Sequence, residues 1–181
     1  MDTVEPIRDK RDIEAMKKYL RDKNMKYYIM FVTGINLGLR ISEILKMDVD
    51  DVKGRRTRKF RQPKTGKEIT VAYNAELLRD YKEFCLHRAP GEALIPTRNN
   101  EYKPISRDMA YKVLREAAEH IGLSNIGTHS MRKTCGYHFY KKTKDIATLQ
   151  IWFNHSSPLT TLRYIGITSE HVQNAMINFH L

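Results

Sequence analysis

The chain has 181 residues, 41% of them hydrophobic and 29% charged, which suits one compact domain with a proper core and excludes a disordered protein. Its 32 Lys and Arg against 21 Asp and Glu leave a net charge of +11, which points to a polyanionic partner, because neutralised phosphates release their counterions. No apolar run approaches the roughly 18 residues of a membrane span, and neither a signal peptide nor a lipidation motif nor a basic amphipathic helix directs the chain to a membrane.

In chain order, Glu5-Pro6 opens an extended lead-in, and Asp9 or Asp12 can cap a first helix with Ile13, Met16 and Leu20 inward. A second, more apolar helix starts near Met25 and carries Tyr28, Phe31, Val32 and Ile35 on one stripe, and Gly34 and Gly38 loosen its end. A short helix resumes over residues 40–45. Segments 56–62 and 68–73 read as two strands joined by Pro63-Lys64-Thr65-Gly66-Lys67, with Gly66 supplying a positive φ, and so predict a β-hairpin. Helical period returns over 75–87, and Ser106 caps a helix that stops at Gly122. Thr128 or Ser130 caps the next helix, with Cys135 and Phe139 inward; Asp145 starts another, ending before His155. Pro158 leads a short helix into Tyr164, and Ser169 begins a last one with Val172, Ala175, Met176 and Phe179 on one apolar stripe, expected to pack on this domain or a neighbour. The fold class is therefore α+β, mostly α-helical with one small antiparallel sheet, and residues 1–181 are expected to form a single domain.

Polar groups of a common kind come from several places. His129 and Arg132 stand three positions apart at a helix start, where free N–H groups and the macrodipole favour an anion such as phosphate. Arg40 and Glu43 share the short helix, Lys64 sits on the hairpin turn, and His155 precedes Tyr164. A guanidinium bonds two oxygens of a phosphate and stays charged at any working pH. Each group has a plainer reading: Arg40 and Glu43 as an exposed i,i+3 ion pair, Lys64 as one of many turn lysines with Lys67 equally able to reach a phosphate, and Tyr164 as a packed ring. His129, His138, His155 and His171 lack the cysteine pairs, HExxH or spaced carboxylates of a zinc site, so no metal is expected. Cys85 and Cys135 are expected to be buried free thiols in a reducing, cytoplasmic compartment, where the Asn154-His155-Ser156 sequon goes unused.

Taken together and in this order, the motifs resemble the tyrosine recombinases, or phage-type integrases. Residues 33–45, Thr-Gly-Ile-Asn-Leu-Gly-Leu-Arg-Ile-Ser-Glu-Ile-Leu, look like that family's first arginine motif; Lys64 matches its hairpin lysine, His129-Ser130-Met131-Arg132 its H-x-x-R box, His155 its second histidine, and Tyr164 its nucleophile. The chain departs from the pattern in having Phe153-Asn154 where Leu-Gly usually precedes that histidine, and in lacking the N-terminal DNA-clamping (core-binding) domain, as either an excised catalytic domain or a short stand-alone relative would.

The resemblance implies a site-specific DNA recombinase that cleaves and rejoins strands through a 3′-phosphotyrosine on Tyr164. Arg40 and Arg132 would stabilise the non-bridging oxygens, Lys64 would protonate the departing 5′ oxygen, His129 would move the tyrosine proton, His155 would hydrogen-bond the phosphate, and Glu43 would hold His129 or an arginine. It further implies double-stranded DNA as partner, self-assembly on that DNA, and no cofactor, since the ester conserves the bond energy. A DNA-binding module without turnover and a topoisomerase that relaxes without exchange are the competing functions.

Overall fold

The computed structural model describes residues 4–61, 66, 68–167, 176, 177 and 179. Lys64 and Lys67 fall outside these residues, as do Val172 and Ala175 of the expected tail stripe; Met176 and Phe179 of that stripe are 70% and 69% exposed.

Helix α1 (Lys10–Lys23) begins where the Asp9 carboxylate accepts from Arg11 N and buries Met16 and Leu20. Asn24 closes it, its N–H donating to the Leu20 carbonyl, and its own side chain caps α2 (Met25–Leu37) by accepting from Lys26 N. Helix α2 is the central core element, with residues 28–34 all buried. Gly38, at φ 60°, turns the chain out of it into the short α3 (Ile41–Ile44), and a single 3-10 turn follows at Val49–Asp51.

The sheet is the predicted hairpin: β1 (Thr57–Arg61) pairs antiparallel with β2 (Glu68–Ala72), Thr57 opposite Ala72 and Arg61 opposite Glu68, and Gly66 has φ 66°. Its base is tied down by the Arg58–Asp51 ion pair and by the Tyr73 hydroxyl, which donates to the Asp51 carbonyl at 3.0 Å. Tyr73 stacks edge-on against Tyr81 at 5.3 Å, and Tyr81 shares a 2.8 Å hydrogen bond with Thr33 of α2, so the hairpin is anchored to the core.

Helix α4 (Ala75–Phe84) ends a turn earlier than its apolar pattern suggests. After α5 (Arg107–His120), capped by Ser106 as predicted, comes α6 (Thr128–Thr143). Its N-cap is Gly127 rather than Thr128 or Ser130; the Ser130 hydroxyl, one turn in, accepts from Gly127 N at 3.1 Å instead. Helices α7 (Ile146–Phe153) and α8 (Pro158–Tyr164) complete the described elements.

Two apolar clusters result. The larger is built from α1 to α5 and reaches Met131 of α6; the smaller joins Tyr137 of α6 to Leu149, Phe153, Ile165 and Ile167. Helix α6 spans both, which places Arg132 at their seam. Close approach at Gly136 makes this possible: a Cβ there would lie 2.7 Å from Ile165 Cγ2 and 2.8 Å from Phe153 Cε2. The N-terminal lead-in crosses α6 as an extended strap, with Ile7 N donating to Thr134 Oγ1 at 2.8 Å and His138 Nε2 donating to the Ile7 carbonyl at 2.9 Å.

Candidate active site

Arg40 is the N-cap of α3, with extended backbone, and it is half-buried. Glu43 makes the capping box: one carboxylate oxygen accepts from Arg40 N at 2.6 Å and the other from the Arg40 guanidinium at 3.3 Å. The pair is not a solvated surface bridge, since Glu43 is buried and fixes both ends of the arginine.

Arg132 is 4% exposed, and among the described residues no carboxylate forms an ion pair with it; it is held by neutral groups instead. Its guanidinium donates to the Gly38 carbonyl, donates to the Phe153 carbonyl at 3.0 Å, and lies 4.0 Å above the Phe153 ring centroid. The turn at Gly38 and the end of α7 thus aim it, while Trp152 ties the same two places together by donating Nε1 to the Leu37 carbonyl at 3.1 Å. Two neutral carbonyls leave the positive charge uncancelled, as an anion site requires.

His155 follows Asn154, the C-cap of α7, which adopts φ 51° and ψ 50°, a left-handed turn that asparagine tolerates. The His155 Nδ1 lies 3.1 Å from the buried Thr161 hydroxyl, which fixes the ring. Burial first, then the charges of Arg132 and Arg40, push its pKa down to about 4. His129 keeps solvent access, yet protein packed on its inner side, followed by Arg132, Arg40 and Lys133, lowers its pKa as well. Both imidazoles are therefore neutral near pH 7.

Tyr164, the last residue of α8, packs its ring edge-on against His155 at 5.0 Å and Phe153 at 5.8 Å. Burial raises its phenol pKa, while Arg132 and then Arg40 pull it back toward ionisation and Glu43 opposes them weakly. The structure thus brings Arg40, Glu43, His129, Arg132, His155 and Tyr164 into one electrostatic neighbourhood. Lys64 lies outside the described residues, although the hairpin that carries it packs here: Phe60, Ile69 and Val71 line a cavity of about 10 Å³ with Glu43 and Arg132. Among the described residues no cluster of His, Cys, Asp or Glu is arranged to hold a metal. Phe153, Trp152 and Thr161 were not legible as site residues, because each acts by holding another side chain and no spacing marks such a role.

Comparison with known proteins accords with this geometry. Residues 8–171 match the phage integrase family. The probable integrase/recombinase YoeC of Bacillus subtilis is 44% identical over 97% of this chain and 96% of its own length. Tyrosine recombinase XerD of Mycobacterium leprae is 31% identical over 79% of this chain, which spans 48% of that relative. The Tn1549 transposon integrase, solved in complex with a circular intermediate DNA, superposes with a TM-score of 0.72 at 17% identity, covering 99% of this chain and 67% of that one. The chain belongs to the phage integrase family and has the fold of a tyrosine recombinase.

Proposed function

We propose that this chain is a tyrosine-type site-specific recombinase acting on double-stranded DNA, with Tyr164 as nucleophile. The observation that carries the reading is the convergence of Arg40 and Arg132 on a half-buried phenol packed against His155, with His129 in the field of the same two arginines. An ordinary tyrosine has no need of two arginines with so little carboxylate to neutralise them.

The Tyr164 oxygen attacks the scissile phosphorus, forming the Oη–P bond as the bond from phosphorus to the 5′ oxygen breaks, and a 3′-phosphotyrosine results. The phenol proton passes to the imidazole of His129, which its lowered pKa leaves unprotonated near pH 7. Arg132 and Arg40 meet the charge that grows on the non-bridging oxygens; because Arg132 is already fixed by two carbonyls and a ring, it need not reorganise at that moment. His155, anchored through Nδ1, hydrogen-bonds the phosphate. The leaving 5′ oxygen takes a proton from Lys64. Rejoining is the reverse step with a new 5′-hydroxyl, and the ester conserves the energy for it.

The +11 charge supplies sequence-independent affinity for DNA, on which copies of the chain assemble. A cytoplasmic setting accords with the free thiols Cys85 and Cys135, and among the described residues no helix is long and apolar enough to cross a membrane. Residues 1–181 act in this reading as one catalytic unit.

A nicked suicide substrate tests it. The native protein should form a covalent adduct that Tyr164→Phe abolishes while still binding DNA. An adduct surviving in Tyr164→Phe would move the nucleophile elsewhere, and binding without any adduct would favour a non-catalytic DNA-binding module.

A further inference from the structure

Next to Arg132 on α6 stands a second buried cation that the proposed chemistry does not use. Lys133 is 7% exposed, and its Nζ donates to the Val4 carbonyl of the N-terminal strap at 2.7 Å. The same Nζ lies 5.4 Å from the centroid of the Tyr164 ring, over its face. A buried ammonium whose hydrogen-bond partner is a carbonyl costs stability compared with an apolar side chain of similar length, so the position is not explained by packing. What the charge does there is electrostatic: a cation over an aromatic face is attracted to the ring, and more strongly once the ring carries a phenolate.

We propose that Lys133 is a positioning residue for Tyr164, holding the ring by its face and favouring its ionised form while tethering it to the strap at Val4. This rests on Tyr164 being the nucleophile. The groups facing the pair are Arg132 and His129 on α6, Arg40 and Glu43 at α3, His155 before α8, and Glu5 and Arg8 on the strap. Arg132 and Arg40 act on the phenol oxygen; Lys133 acts on the ring and is the one of the three cations joined to the N-terminal segment. Burial lowers the Lys133 pKa, with Glu5 raising it and Arg8 lowering it.

The test compares native protein with Lys133→Met and Lys133→Arg in single-turnover adduct formation across pH. Lys133→Met should slow the adduct about tenfold, as expected for loss of one desolvated cation–ring contact, and should move the pH midpoint of the rate upward with DNA affinity unchanged. Lys133→Arg, which can both donate to Val4 and lie over the ring, should recover most of the rate. An ultraviolet difference titration against Tyr164→Phe reads the phenol directly without DNA, and its midpoint should rise in Lys133→Met. Unchanged pH profile and phenol titration in Lys133→Met would overturn the assignment and reduce Lys133 to a structural tie. An adduct that persists in Tyr164→Phe counts against the nucleophile instead, and the phenol titration still decides for or against Lys133.

Discussion

The Arg132 guanidinium carbon lies over the Phe153 ring, 4.0 Å from its centroid, and the guanidinium donates to the carbonyl of that same residue at 3.0 Å. One residue at the end of α7 therefore supplies both a face and an edge contact, and a third comes from the Gly38 carbonyl. Only a planar fork satisfies all of them together.

Arg132→Lys is accordingly expected to keep the charge and lose the chemistry. An ammonium cannot lie over Phe153, bond both carbonyls and still present donors to a phosphate. Adduct formation should fall by about 100-fold or more, the range for losing a preorganised donor to developing charge. DNA affinity should change little, because a net cation remains. Rapid-quench adduct assays beside equilibrium binding make the comparison, and equal losses in both would assign Arg132 to binding rather than to the reaction.

Gly136→Ala tests the seam between the clusters. Its added methyl falls within 3.0 Å of Ile165 and Phe153, both fully buried, so α8 or α7 has to shift. Overpacking of this kind costs about 1–3 kcal/mol. Urea denaturation should show that loss, and the adduct rate should fall further than stability accounts for, because Ile165 is the neighbour of Tyr164. A variant as stable as the native chain would mean that the smaller cluster yields to the methyl.

Much of this arrangement was legible in the sequence, for a physical reason. Helical period, the Asp9, Ser106 and Asp145 caps, and the Gly66 turn are local signals, and α1, α5, α7 and the hairpin stand where they predict them, whereas α4 ends a turn early and the helix expected from Ser169 lies largely outside the described residues. The site residues were legible because their types are chemically uncommon in that order. What the sequence does not carry is mutual support between distant residues. That Glu43 closes a capping box on Arg40, that Phe153 is a platform for Arg132, and that Thr161 holds His155 depend on three-dimensional packing. The cap of α6 was misplaced for a related reason: Ser130 is a good capping residue, but its hydroxyl reaches back from inside the helix to Gly127.

His155 predicts a particular acid limb of stability. Its folded pKa of about 4 lies below the ordinary histidine value of about 6.5. The unfolded chain therefore binds this proton first, so its contribution is fully present above about pH 6.5 and is lost as pH falls toward 4. His129, shifted in the same direction, adds to that slope. Carboxylates held low, such as Asp9 and Asp145, act in a more acidic window, below their unfolded values near 4. Denaturation midpoints measured between pH 7 and 4 should fall less steeply for His155→Gln than for the native chain. Identical slopes would show that His155 titrates normally.

The salt dependence of DNA binding separates charge number from charge geometry. With 32 Lys and Arg residues and a buried Arg132 whose hydrogen bonds go to neutral carbonyls, binding is expected to be dominated by phosphate contacts, and log affinity should fall linearly and steeply with log salt. Tyr164→Phe is the suitable protein, since it cannot trap DNA covalently and so reports equilibrium. Arg132→Lys in that background should give the same slope, because one cation replaces another, whereas Arg132→Met should lessen it by about 0.9, the value of one released counterion. Filter-binding or anisotropy titrations over a salt series give both numbers. A flat dependence in the Tyr164→Phe protein would contradict a phosphate-led interface, and an Arg132→Met slope equal to that of Arg132→Lys would place Arg132 out of reach of the bound phosphate.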